Sequence, residues 1–418
     1  MKFSTMVIPI AVFVSTITMA LAASVRTKLK GPVKPDSYIV VLKSGEDMEH
    51  HIEGITRISA RSPGSEFSIN HRYKMLNGYS AHVTGASLSR IFSCPEVEYV
   101  EADAIVSICD GLHEVNEGLV TEFNDVPAEI RDDPGELGGR ADRKPVELIV
   151  GAAGLAPFHF SFMEADGSTR VVGGAAVDPR GNPLVDLNGH GTMVAGRAAG
   201  NIYGVTTWPT IYSIKVSNSR EAATTDVMRG IELAVERFES TESHSIFILT
   251  FISDFDSILN MAVNDAVKRG LPIVVPAGGG SKNVDEKVSP ASAANPIAVG
   301  AIEDCTPPRV ASFSNWGPTV IAFAKGTAVV PSISGAGEWQ TETSTTMSAA
   351  YVAGLLAEWL SYHEKLVTPV QLKIDLKAHF SKNVRDPDGI MKWSARPFRL
   401  VPSQRSSVDA QNNSFFTQ

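Results

Sequence analysis

Residues 188–196 read NGHGTMVAG, and residues 344–354 read STTMSAAYVAG. In both stretches polar residues lead into a run of small and apolar residues, a pattern that favours the start of a closely packed helix. We therefore predict helices at 190–199 and 347–362. His190 and Thr346 then lie at or beside the two helix starts.

Outward from these stretches, residues 145–402 alternate apolar, strand-like runs with helical ones. Further helices are predicted at 225–238 and 257–268, and strands at 147–150, 211–216, 246–251, 273–275, 297–299 and 320–323. Apolar strands that alternate with helices indicate a parallel sheet covered on both faces. The sequence thus predicts a doubly wound α/β domain, whose functional residues gather at strand C-terminal ends and helix N-termini.

The chain before this domain has a different pattern. Strands are predicted at 38–42, 79–83 and 97–100, with helical stretches at 46–58 and 88–92, so residues 37–108 predict a small α+β unit with an antiparallel sheet. Residues 109–144 are rich in Asp, Glu and Gly, which predicts an exposed, mobile linker. The polar segment 403–418 predicts a disordered tail.

The first residues indicate a targeting segment. Lys2 is followed by an apolar run that ends in Ala20-Leu21-Ala22, so residues 1–22 predict a secretory signal peptide. A membrane anchor is the alternative, but the run contains Pro9 and is shorter than the roughly 20 residues that span a bilayer. We therefore expect a secreted, extracellular protein with no membrane partner.

Composition limits the other function classes. With 418 residues, of which 43% are hydrophobic, the chain is long enough for one large core and a smaller second domain. A formal net charge of −9, spread over both signs, leaves no basic stripe for a phosphate backbone, so no nucleic-acid partner is expected. The three cysteines (Cys94, Cys109 and Cys305) are an odd number, so at least one is free or pairs with another chain.

The two opening motifs resemble the histidine and serine motifs of the subtilase family of serine proteases. Residues 38–43 (YIVVLK), 78–81 (GYSA) and 95–101 (PEVEYVE) resemble the subtilase prodomain, which in that family acts as a folding chaperone and inhibitor. Residues 289–292 (SPAS) and 311–317 (ASFSNWG) resemble structural segments of proteinase K-like members. The resemblance implies a subtilisin-like fold and a peptidase ancestry.

The resemblance also shows how the catalytic positions depart from the family. His190 stands at the general base, with Met193 replacing a second histidine of the motif, and Thr346 stands at the nucleophilic serine. Ala152 stands at the aspartate that orients the histidine, and Gly279 at the asparagine that binds the oxyanion. Each of these groups has a separate task in acyl transfer, so the resemblance implies that catalysis is lost or severely impaired.

The substrate strand is changed as well. Phe251, Ile252 and Ser253 lie where the family has a glycine-rich strand that pairs with the substrate backbone. Bulk at Ile252 and charge at Asp254 predict that pairing with an extended peptide is impaired.

Three hypotheses remain open from the sequence. The first is a secreted pseudoprotease that binds a polypeptide or protein partner, with its own prodomain never released and active subtilases among the candidate partners. The second is a slow endopeptidase that uses His190 and Thr346, and the third is an inhibitor function within residues 37–108. Calcium sites are common in the family, but no acidic cluster here has a spacing that assigns one, so no metal or cofactor is predicted.

Overall fold

A computed structural model describes residues 24–25, 31–108, 143–241, 243–285, 287–303, 305–332 and 339–395. The predicted signal peptide (1–22), the linker residues 109–142 and the tail (403–418) lie outside the described residues. The described chain divides into two compact units. The first contains residues 35–102, and the second contains residues 31–34 together with the described residues from 103 onward. The six residues 103–108, which the sequence assigned to the first unit, therefore belong to the second.

The first unit combines an antiparallel sheet with two helices. Its helices are α1 (Met48–Arg61) and α2 (Gly85–Ser93). Its strands are β1 (Ser24–Val25), β2 (Val33–Leu42), β3 (Phe67–Tyr73), β4 (Gly78–Val83) and the first half of β5 (Val97–Ile108). The order β5-β2-β4-β3 places the antiparallel pairs β2–β4 and β4–β3 side by side.

The core of this unit lies between the sheet and the helices, where Val40, Tyr79, Ile55 and Ile91 are buried. Asp47 begins α1 because its carboxylate accepts the N–H groups of two residues in the first turn. The predicted α+β architecture is therefore present, with β3 as an additional strand. Its role as a prodomain stays a prediction.

Within the described residues of the second unit, nine strands form one sheet: β6 (Val146–Ala152), β7 (Val171–Ala176), β8 (Thr210–Lys215), β10 (His244–Leu249), β12 (Ile273–Pro276), β14 (Ile297–Ile302), β15 (Val320–Lys325), β18 (Ser381–Arg385) and β19 (Met391–Ser394). Their order across the sheet is β18-β19-β15-β14-β12-β10-β6-β8-β7. Every neighbouring pair is parallel except β18 with β19.

The helices of this unit are α3 (His190–Ala199), α4 (Thr224–Glu239), α5 (Ser257–Lys268), α6 (Thr345–Leu360) and α7 (Pro369–His379). Helix α6 packs against α3 and lies over β10, β12, β14 and β15, whereas α4 packs against α5 and contacts β6 and β8. The doubly wound parallel sheet predicted from the sequence is thus confirmed.

Short strands complete the second unit at β9 (Glu221–Ala223), β11 (Phe251–Asp254), β13 (Val288–Ser289), β16 (Thr327–Pro331) and β17 (Trp339–Thr343). Of the three cysteines, Cys94 and Cys305 are free thiols, and Cys109 lies outside the described residues. None of the helices that the structure describes is long and apolar enough to cross a membrane.

Candidate active site

The four predicted catalytic positions all lie near one edge of the central sheet. Ala152 ends β6, and Gly279 follows β12, with the parallel strand β10 between these two strands. The carboxyl ends of parallel strands share an edge, where open α/β sheets carry their sites. His190 and Thr346 reach this edge through the first turns of α3 and α6, as the contacts below show.

His190 is the first residue of α3 and is buried, with 2% of its surface exposed. Gly189 precedes it in a left-handed conformation (φ 83°), which a glycine adopts without strain. The Asn188 Oδ1 accepts the His190 backbone N–H at 2.9 Å. These contacts fix the helix start and therefore the backbone position from which the His190 side chain extends.

Asp186 is the carboxylate nearest to His190 in the preceding sequence, and both of its oxygens bind donors of the first turn of α3. Its Oδ1 accepts the Gly189 N–H at 2.9 Å, and its Oδ2 accepts the N–H and the hydroxyl of Thr192 at 2.9 and 2.7 Å. A carboxylate at a helix N-terminus stabilises the unpaired N–H groups of the first turn. Asp186 therefore caps α3.

Ala152 lies directly beneath this helix start. A methyl group built on Gly191 would lie 3.2 Å from the Ala152 Cβ, and Ala152 itself is fully buried. The position that faces the first turn of α3 from β6 thus carries a methyl group and no acceptor for an imidazole N–H.

Thr346 is the second residue of α6 and is fully buried. Ser344 caps this helix by accepting the Met347 N–H at 3.3 Å. The neighbouring Thr345 Oγ1 accepts the N–H of Gly278 at 3.0 Å, which ties the start of α6 to the loop after β12. The helix begins two residues earlier than predicted, so Thr346 lies inside its first turn.

Gly279 lies half-buried in the loop after β12 and offers no side chain to an oxyanion. An asparagine is present nearby, but its amide holds the loop itself. The Asn315 Nδ2 donates to Ala277 O at 2.8 Å, and its Oδ1 accepts the N–H groups of Gly280 and Lys282 at 3.0 Å each. The Asn315 amide therefore positions the loop, and the assignment of Gly279 to the oxyanion site stays a prediction.

The predicted substrate strand is β11, and a segment of the same chain is paired with it. Phe251 pairs with Ile108 and Ile252 with Ser107 in an antiparallel register, while Ser253 pairs with Ser289 on the other strand, β13. Residues 107 and 108 therefore pair with β11 despite the bulk of Ile252, and the expectation that pairing with a substrate peptide is impaired stays a prediction. A β-branched side chain projects from the face of the ribbon and leaves the backbone N–H and C=O groups accessible.

Residues 105–108 are held on their other side by β9. Ile105, Val106 and Ser107 pair with β9, and the Ile108 N–H donates to Arg220 O at 2.8 Å. Val106 and Ile108 are buried, whereas Ser107 is exposed. The segment is thus the middle strand of a three-stranded antiparallel ribbon with β9 and β11.

This ribbon was not predicted from the sequence. Two- to four-residue strands lack the length at which alternation becomes visible, and β9 reads only EAA. The run AIVSI at residues 104–108 was a signal for an extension of the strand predicted at 97–100.

Comparisons with known proteins agree with this fold. The family model described as the subtilase family matches residues 54–390. The chain is 31% identical over 382 residues to a cuticle-degrading serine protease of Arthrobotrys oligospora, covering 85% of this chain and 90% of that protein. It is 29% identical over 410 residues to subtilisin-like protease 1 of Pseudogymnoascus destructans, covering 93% and 97%.

Solved structures give the same result. A cold-adapted subtilisin-like serine proteinase matches with a TM-score of 0.56 and 27% identity, covering 63% of this chain and 92% of that one. Fervidolysin from Fervidobacterium pennivorans, a keratinolytic enzyme related to subtilisin, shares the fold with a TM-score of 0.66 and 16% identity, covering 87% and 60%. The protein belongs to the subtilase family.

Proposed function

We propose that this chain is a secreted subtilase homologue that has lost peptidase activity and acts by binding a polypeptide. The observation that carries the proposal is Ala152. The base, His190, is retained, but the strand position below its helix carries a buried methyl group, and Asp186 is used by the helix cap.

The magnitude of the losses supports inactivity. In a serine protease with an intact triad, changing the aspartate to asparagine lowers turnover about 10⁴-fold, and removal of the oxyanion asparagine from a subtilisin costs about 10²–10³-fold. These losses do not multiply, because the groups act as a unit. Thr346 adds a methyl group that restricts χ1 of the attacking hydroxyl.

The paired segment 103–108 supports a binding role. Residues 105–108 pair as an extended strand with β9 and β11, so the backbone of these two strands forms the hydrogen bonds typical of strand addition. The buried Asp103 carboxylate fixes the start of the segment, accepting the N–H and the hydroxyl of Thr225 at 3.1 and 2.9 Å. We infer that the partner is a polypeptide, with residues 105–108 of the chain itself as one occupant of these edges and active subtilases as further candidates.

The test compares the mature N-terminus and intact mass of secreted wild type with those of Thr346→Ala and Thr346→Ser. A pseudoprotease keeps residues 37–108 attached in all three proteins, and none of them hydrolyses a peptide p-nitroanilide. Cleavage within 109–144 in wild type and Thr346→Ser but not in Thr346→Ala would show that Thr346 is a nucleophile.

That outcome would establish the second candidate, a slow endopeptidase. One observation favours it, since Thr346 keeps a hydroxyl in the first turn of α6, the helix that contacts the sheet edge through Thr345 and Gly278. Cleavage that is equal in all three proteins would indicate a separate protease in the secretion host and would leave the binding role intact.

A further inference from the structure

Three side chains with metal-binding chemistry meet in the first unit. His51 lies on α1, Cys94 directly follows α2, and Glu96 lies just before β5. His51 and Cys94 are buried, and Glu96 is partly exposed. In the part of the chain that the structure describes, this is the one group of three or more such residues with ligand atoms close enough to share an ion.

We propose that His51, Cys94 and Glu96 form a Zn²⁺ site, with the His51 Nδ1, the Cys94 Sγ and a Glu96 carboxylate oxygen as ligands. A water molecule completes the tetrahedron. Three protein ligands and one water are a common arrangement for zinc in proteins. The proposal is independent of whether the chain has peptidase activity.

The distances between the ligand atoms fit this ion. With Zn–S about 2.3 Å and Zn–N and Zn–O about 2.1 Å, tetrahedral angles place sulfur about 3.5–3.6 Å from nitrogen and from oxygen. The observed separations are 3.6 Å from Cys94 Sγ to His51 Nδ1 and 3.5 Å from Cys94 Sγ to Glu96 Oε2. The His51–Glu96 separation of 2.9 Å is that of a hydrogen bond and opens by about 0.5 Å when the ion replaces the proton.

Tyr79 supports the histidine from the other side. Its hydroxyl lies 3.2 Å from the His51 Nε2, and the tyrosine is fully buried on β4. When the Nδ1 binds zinc, the Nε2 carries the proton and donates it to the Tyr79 oxygen. A hydrogen bond of this kind fixes the tautomer and the ring orientation of metal-binding histidines.

Charge and access also favour zinc. A neutral imidazole, a thiolate and a carboxylate carry two negative charges, which one divalent ion neutralises in this largely buried place. The thiol proton leaves to solvent, and the Glu96 side chain, 35% exposed, provides the path for the ion. Thiolate and imidazole ligands select zinc over Ca²⁺ and Mg²⁺, which take oxygen ligands.

Zinc at this place would connect α1, the end of α2 and the start of β5. Since the ion binds the folded unit, it lowers the unfolding equilibrium constant by about 100-fold when free zinc is 100 times Kd. The site would therefore stabilise residues 35–102 in a compartment that supplies zinc.

The experiment uses the full secreted chain, stripped with a chelator and then titrated with Zn²⁺ or Co²⁺. We expect one zinc per chain, and with cobalt a thiolate-to-metal charge-transfer band. Cys94→Ser should abolish the band, whereas the matched variant Cys305→Ser, which removes the other described free thiol, should keep it. Ca²⁺ should not compete.

Glu96→Gln provides a second variant if Cys94→Ser fails to fold, because this side chain is partly exposed. It should weaken zinc binding at least tenfold and leave the circular dichroism spectrum unchanged. Absence of zinc binding in wild type, or a cobalt band that survives Cys94→Ser, would overturn the proposal and leave the three residues as a hydrogen-bonded structural group.

Discussion

Glu358, in the last turn of α6, is the buried centre of a polar network in the second unit. Its Oε2 accepts hydrogen bonds from Arg143 Nη1 at 3.0 Å, Thr206 Oγ1 at 2.9 Å and Trp208 Nε1 at 2.7 Å. Its Oε1 accepts the Tyr362 hydroxyl at 3.1 Å. The Arg143 and Glu358 side chains are only 11% and 5% exposed, so water cannot replace a lost partner.

Glu358→Ala leaves a buried guanidinium without its counter-ion and removes the acceptor of three further donors. Breaking a buried ion pair by removing one partner costs about 3–5 kcal/mol, and we expect a loss in that range. Glu358→Gln keeps an oxygen that can accept from Arg143, Thr206 and Trp208. Its amide nitrogen can then face the Tyr362 hydroxyl. It loses only the charge, so we expect about 1–2 kcal/mol.

Urea unfolding followed by far-UV circular dichroism measures these losses without relying on tryptophan fluorescence, since one tryptophan belongs to the network. The control is Glu364→Ala, which removes the partner of Lys144 from a pair that is 74% and 47% exposed and should cost under about 1 kcal/mol. The reasoning is refuted if Glu358→Ala costs no more than this control, or if Glu358→Gln costs as much as Glu358→Ala.

Three further predictions concern the second unit. Burial raises the pKa of Asp256 above 3.8, so the folded protein disfavours the ionised carboxylate. The contribution of the Asp256 carboxyl group to the free energy of unfolding therefore falls as the pH rises through the raised pKa. The melting temperature of Asp256→Asn minus that of wild type should therefore increase from acidic to neutral pH. Val106→Ala removes two buried methyl groups, about 1.6 kcal/mol, and should speed amide exchange in its strand roughly tenfold, whereas the exposed Ser107→Ala should not. Gly354→Ala places a methyl group 2.5 Å from the Ala198 carbonyl oxygen and should cost about 1–3 kcal/mol in a thermal melt.

The long elements were predictable because their hydrophobic patterns span several turns or a full strand. Helix α3 was predicted with its observed bounds, His190–Ala199, and α5 likewise. Helix α7 was missed because Val370 and Ile374 face solvent, which blurs its periodicity. Thr368 followed by Pro369 was a readable start signal, and the Thr368 hydroxyl does accept the Gln371 N–H at 3.2 Å.

The candidate site was less predictable than the fold. The losses at Ala152 and Gly279 were readable from their registers in the motifs, and their assignment as catalytic positions stays a prediction. The role of Asp186 as the cap of α3 was not predictable, because sequence spacing does not tell which donors a carboxylate faces. His51 and Cys94 are 43 positions apart, and only the packing of two helices brings them together.

The pairing of residues 105–108 with β9 and β11 of the same chain has a consequence for any partner. Because this strand belongs to the same molecule, it competes as an intramolecular ligand whose effective concentration is of the order of millimolar. A free peptide of equal intrinsic affinity would therefore displace it only at millimolar levels. A partner present at micromolar concentration must bind about a thousandfold more tightly than the resident strand, or it must use a surface that this strand leaves uncovered.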